Sequence, residues 1–108
     1  MAYTAAQIKT AVLQSLGPSI SADTSKVSAI EKAIAMAYVE TATIMGADDT
    51  SGSIFNLLWF KKALYEGTVV AVGLTDGALH LYKVYHDYLD LIIGDRRADA
   101  SAAVSEPS

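Results

Sequence analysis

Few side chains in this chain could do chemistry, and most of them cluster late. His80 and His86 stand among Asp76, Asp87 and Asp90, and imidazole beside carboxylate is the combination that holds a divalent metal or relays a proton. The spacing argues against both uses. His86 and Asp90 are four apart and could meet on a helix, but His80 and His86 point about 120° from each other, so one helix cannot turn both toward one ion. Asp76, His80, Lys83, Asp87 and Asp90 recur every three or four residues, the period of a single solvated helix face. Asp48 and Asp49 are adjacent, whereas a calcium loop alternates its ligands, so they read as part of a surface loop. With no cysteine, no phosphate-cradling glycine loop and no nucleophile elbow, the chain is expected to be non-enzymatic. No catalytic residue, metal ligand or cofactor is assigned.

The aromatic residues carry more information. Between Ile54 and Ile93 lie the only Trp, both Phe and four of the six Tyr. Tyr65, Tyr82, Tyr85 and Tyr88 with Trp59 could line a pocket for a small apolar molecule. They could equally form a contact between subunits, where an amphipathic ring buries its face and keeps its hydroxyl wet. Stacking on nucleic-acid bases would require interleaved basic residues, which are missing, and a net charge of −4 opposes direct binding to a phosphate backbone. Of the remaining two, the interface is favoured, with Trp59, Phe60, Tyr82, Tyr85 and Tyr88 as its candidate residues. Composition supports that choice: 52% hydrophobic against 19% charged residues in a chain of 108 is more apolar surface than one small core can hide.

Positioning these side chains calls for an all-α fold, a small bundle of about four helices forming a single domain over 1–94. Thr4-Ala5-Ala6-Gln7 is a capping box that starts a helix over 4–16, with Ile8, Ala11, Val12 and Leu16 on one side and a stop at Gly17-Pro18. Ser19 to Ser25 reads as a loop offering N-cap oxygens to a helix over 25–45, whose stripe is Val27, Ile30, Ile34, Ala37, Tyr38, Thr41, Ile44 and Met45. Its far side, Ala29, Ala35, Met36, Val39 and Ala42, is either a small apolar surface on which a further helix could lie close or a solvent face filled with good helix formers. After a loop at Gly46–Ser53, a third helix over 53–67 fits Ile54, Leu57, Leu58, Lys61, Leu64 and Tyr65. Whether it extends to 74 or gives way to a hairpin over 68–85 is open, because Thr68-Val-Val-Ala-Val is β-branched and Asp76-Gly77 is a hairpin-type turn. The clean polar stripe favours a fourth helix over 76–94, apolar around about 240° of its circumference and so expected to be buried by neighbouring subunits as well as its own core. Lys61, Lys62, Glu66, Asp76 and His80 interrupt every apolar window of about 20 residues, so no membrane-spanning helix is expected. The opening residues lack a secretory pattern, so the chain is expected to be soluble and intracellular. The tail 95–108 has one large apolar residue, Val104, and is expected to be ordered only by a partner, with Arg96, Arg97 and Val104 as its contacts.

Thr4-Ala-Ala-Gln-Ile-Lys-Thr-Ala-Val, then a longer Ala-rich helix through Ala-Tyr-Val-Glu, then Leu57-Leu-Trp-Phe-Lys-Lys-Ala-Leu-Tyr-Glu-Gly, resembles the small helical head–tail connector (adaptor) proteins of tailed bacteriophages over residues 4–67. The resemblance implies a ring subunit that docks beneath the portal, often through its C-terminal segment, and presents a surface to the next neck protein. It implies homo-oligomerisation and location in the virion after assembly in the host cytoplasm. One departure is local: the family's third helix closes on Glu-Asn-Arg or similar, and this chain has Glu66-Gly67-Thr68.

Overall fold

Thr4 opens the fold as its side chain predicts: its hydroxyl accepts from the Gln7 amide, and the Gln7 side chain accepts from the Thr4 amide. The computed structural model describes residues 3–46 and 52–105, with side-chain surroundings as far as Gly94. Helix α1 (Ala5–Leu16) ends on Gly17, whose φ of +94° is a conformation that glycine alone adopts cheaply. The expected loop after it contains a short helix, α2 (Pro18–Ser21). Pro18 sits at its first position, where the missing amide costs nothing, and buried Ile20 fastens it to the core.

Helix α3 (Thr24–Met45) is capped by Asp23, whose carboxylate accepts from the Ser25 and Lys26 amides. Those hydrogen bonds, that from the Ser25 hydroxyl first, hold the Asp23 carboxyl below its ordinary pKa. Helix α4 (Ser53–Val72) runs without a break through the β-branched segment, and Gly73 terminates it at a φ of +82°. Helix α5 (Asp76–Ser105) follows at once, its first turn capped by Thr75, whose hydroxyl accepts from the Ala78 amide. The hairpin alternative over 68–85 is therefore excluded, and no strand occurs among the described residues. Thr68 can sit on a buried helical face because its hydroxyl donates to the Leu64 carbonyl one turn back, as Thr41 does to Ala37.

Helix α4 is the centre of the bundle: α1 and α3 pack against it, and α5 runs along another of its sides. The core joins Ile8 and Val12 of α1, Ile30, Ile34 and Ala37 of α3, Phe55, Leu58, Trp59 and Ala63 of α4, and Tyr85, Leu89 and Ile92 of α5. The buried face of α4 is thus displaced from the expected one. Phe55, Leu58, Trp59, Lys62, Ala63, Gly67 and Ala71 are buried, while Ile54 is exposed and Leu57, Lys61, Leu64 and Tyr65 are half-buried. A helix apolar all round carries no periodic signal to say which side is innermost.

Helix α5 also outruns its expected end near residue 94, continuing to Ser105. Ala98, Ala100, Ala102 and Ala103 are the strongest helix formers, and after Gly94 nothing before Pro107 breaks the pattern. The side chains of Arg96, Arg97 and Val104 lie outside the described residues, as does the acidic pair Asp48 and Asp49.

Candidate functional site

Lys62 is the most unusual group in the bundle. Its ammonium lies 2.9 Å from a Glu40 carboxylate oxygen on α3 and 2.9 Å from one of Glu66, one turn on along α4. On the side of α5 it stands 4.9 Å from the centre of the Tyr85 ring. Burial by itself would push the Lys62 pKa down, but the bonds to Glu66 and Glu40 outweigh it and hold the pKa above the ordinary lysine value. Burial likewise raises the Tyr85 phenol above its ordinary pKa, with the neighbouring Lys62 charge opposing it. One cation therefore ties three helices together, and both groups keep their neutral-pH protonation states. A lysine so held is a poor base and a poor nucleophile.

Beside this cluster, the face where α3 and α4 meet is uncovered. An open groove of about 600 Å³ runs between them. It is lined by Ala29, Lys32, Ala33, Met36 and Glu40 from α3 and by Tyr65, Glu66, Val69 and Val70 from α4. Met36 is 57% exposed. Tyr65 closes one side of the groove and meets Tyr82 of α5 edge-on, ring centres 5.2 Å apart. Apolar surface continues there through exposed Leu79 and Tyr82.

The five aromatic candidates are placed differently from one another. Trp59 is buried, its indole N–H donating to the Ile34 carbonyl at 3.0 Å, with Tyr38 packed edge-on against it. Tyr85 is buried over Lys62. Phe60 is half-buried against Tyr3, and Tyr88 is half-buried with the Lys61 ammonium over its ring. Only Tyr82 of the five is exposed. The structure thus divides the set between the chain's own core and its surface, and does not gather it into one patch or one closed pocket.

The polar stripe of α5 is a solvated face. Lys83 and Asp87 form an exposed ion pair at 3.0 Å, and His80 is exposed. His86 packs 4.2 Å from the Tyr82 ring centre and 5.2 Å from that of Tyr85. Among the described residues no group of three His, Asp or Glu side chains could hold a metal ion, and no helix is long and apolar enough to cross a membrane.

Sequence reasoning missed the Lys62 cluster, although Lys62 and Glu66 at i and i+4 inside an otherwise apolar helix were a usable signal. Of the small apolar far side of α3 only Ala29 and Met36 line the groove, and the α4 side of it was not foreseen. Compared with protein-family models, with curated proteins and with solved structures, the chain matches none of them.

Proposed function

We propose that this protein is a non-enzymatic structural subunit that works by packing against other protein. More narrowly, we propose a ring subunit of the head–tail connector of a tailed bacteriophage, docking on the portal and presenting a surface to the next neck protein. The observation that carries the first reading is the apolar surface left open around α3, α4 and α5: Met36, Val39, Val70, Leu74, Leu79 and Tyr82 are all exposed. Large apolar side chains exposed on three neighbouring helices support a surface that other protein covers. The narrower reading rests on the sequence resemblance, whose three segments fall on α1, α3 and α4. It is tested by mass spectrometry and cryo-electron microscopy of purified tailed virions. The connector reading expects the chain in every particle, at the copy number of a ring, with density at the neck. Its absence from finished virions sinks that reading.

A second reading is favoured by one observation, the size of the α3/α4 groove, which falls in the range of small-molecule sites. There the chain would be a helical module holding an apolar ligand against Tyr65. Screening apolar compounds for a rise in melting temperature separates the two, since Met36→Glu should abolish any such rise.

A further inference from the structure

We infer that α5 is a hinged arm: residues 76–93 open from α4 as one unit about the turn at residues 73–75, while α1 to α4 stay folded. Helices α1, α3 and α4 hold one another through contacts in which α5 takes no part. Gly67 brings α4 against Val12 and Ile30, and Phe55 and Trp59 pack edge-on or tilted with Tyr38. The Trp59 indole bonds to the Ile34 carbonyl, Lys9 pairs with Glu31, and Lys62 pairs with Glu40. Among the described residues the largest fully buried side chains all belong to these three helices. By contrast, α4 is the one helix against which α5 packs extensively, and Tyr85, Leu89 and Ile92 are the large side chains it buries there.

The α4/α5 seam differs in kind from the rest of the core. The Lys62 ammonium stands 4.9 Å from the Tyr85 ring centre and that of Lys61 5.5 Å from Tyr88, while Tyr65 meets Tyr82 edge-on at 5.2 Å. Each of these groups has a polar end that water solvates when the helices part, so opening costs less than separating the same area of aliphatic side chains. Lys62 keeps both carboxylates as α5 leaves, because Glu40 and Glu66 belong to α3 and α4. The turn suits a hinge. Helix α4 ends on the Gly73 N–H donating to the Val69 carbonyl, and α5 carries its own cap, since the Ala78 and Leu79 amides donate to Thr75. Between them Leu74 is 68% exposed, and one bond, from the Thr75 N–H to the Gly73 carbonyl, spans the turn. Gly73, at a φ of +82°, has a wider choice of backbone angles than any other residue type. Opening bares Tyr85, Leu89 and Ile92 together with the Lys61, Lys62 and Tyr65 side of α4. On the assembly reading these surfaces meet another protein; the opening itself needs no partner and is tested without one.

Native-state hydrogen exchange of the full chain, followed by NMR at urea concentrations below the unfolding transition, tests the arm. The amides of residues 85–92 should share one opening constant, larger by roughly tenfold or more than that of the slowest amides of residues 30–37 in α3 and 58–63 in α4. That constant should rise with urea, less steeply than global unfolding does, because a limited surface is exposed. A second measurement holds the arm off. Leu89→Asp combined with Ile92→Asp should strip residues 85–92 of protection, while the amides of Val12 and residues 30–37 remain protected in a folded α1–α4 unit. One opening constant common to α3, α4 and α5 overturns the arm, as does fraying in which the α5 amides open one by one without response to urea. A double variant in which α1 and α3 unfold along with α5 overturns it too.

Discussion

Lys62 is buried although a lysine ordinarily keeps its ammonium in water, and it is tolerated because two carboxylates and a ring face replace that water. Its raised pKa gives the pH dependence a definite sign. A lysine held above its unfolded value of 10.5 contributes stability that is complete below that pH and is lost as pH rises through the folded value. Tyr85 adds to the same trend: its folded pKa lies above 10.0, so the unfolded chain ionises first and alkali favours unfolding. Melting temperature should therefore hold steady from neutral pH to about 10 and fall beyond it. Lys62→Met should cost about 1–2 kcal/mol at neutral pH in urea titrations, because Glu40 and Glu66 lose their partner yet can still be hydrated. It should also flatten the alkaline fall. A parent and variant with the same alkaline slope would show that Lys62 is not its source.

At the scale of the element, Gly67 sets how closely α4 approaches α1 and α3. A Cβ there would lie 3.1 Å from a Val12 methyl and 3.6 Å from one of Ile30. Gly67→Ala gains about 1 kcal/mol of helix propensity, but must displace a stiff, fully buried valine, and overpacking costs about 1–3 kcal/mol. A net loss of about 1 kcal/mol is expected. In a Val12→Ala background the same change should become stabilising, and a double-mutant cycle by urea unfolding measures the reversal. The same reasoning divides α5. Leu79→Asp, at an exposed position, should change stability by less than about 0.5 kcal/mol, and Tyr82→Asp, which gives up ring contacts with Tyr65 and His86, by about 1 kcal/mol, while Tyr85→Asp should cost more than about 3 kcal/mol by removing a buried ring and adding a third carboxylate beside Glu40 and Glu66. Circular dichroism melts separate these outcomes, and Tyr82→Asp in particular should leave a folded protein that no longer assembles. Sequence periodicity alone ranked the three tyrosines of α5 together, because all lie on its wide apolar arc; which of them α4 covers depends on the angle at which the two helices pack.

At the scale of the molecule, α4 is wrapped by α1, α3 and α5, while the groove between α3 and α4 stays open. Part of the surplus of apolar residues, Met36 and Val70 among them, lines that groove. The C-terminal segment belongs to a different account. Removing Ala98–Ser108 takes away almost no large apolar side chain, so the melting temperature of the isolated chain should change by less than about 2 °C. On the proposed connector reading, binding to the portal should fall. A large drop in melting temperature would instead place the segment within the fold.

Much of the local structure was determined by the sequence itself, because it depends on neighbours along the chain. The Thr4–Gln7 capping box, the stop at Gly17, the Asp23 cap and the helical period of the polar stripe in α5 all act within one or two turns. That His80 and His86 point apart was legible for the same reason, since their angular separation on a helix follows from counting. Choosing the innermost face of α4 was not a local matter, because a helix apolar on every side has no preferred direction until other helices choose one. Only the tertiary structure placed Lys62 between Glu40 and Tyr85, residues 22 and 23 positions away in opposite directions along the chain. It alone decided that Trp59 and Tyr85 would be core, that Tyr82 would remain at the surface, and that Met36 and Val70 would border one groove. Each of these depends on which helices come together and at what angle, a balance of burial summed over the whole chain.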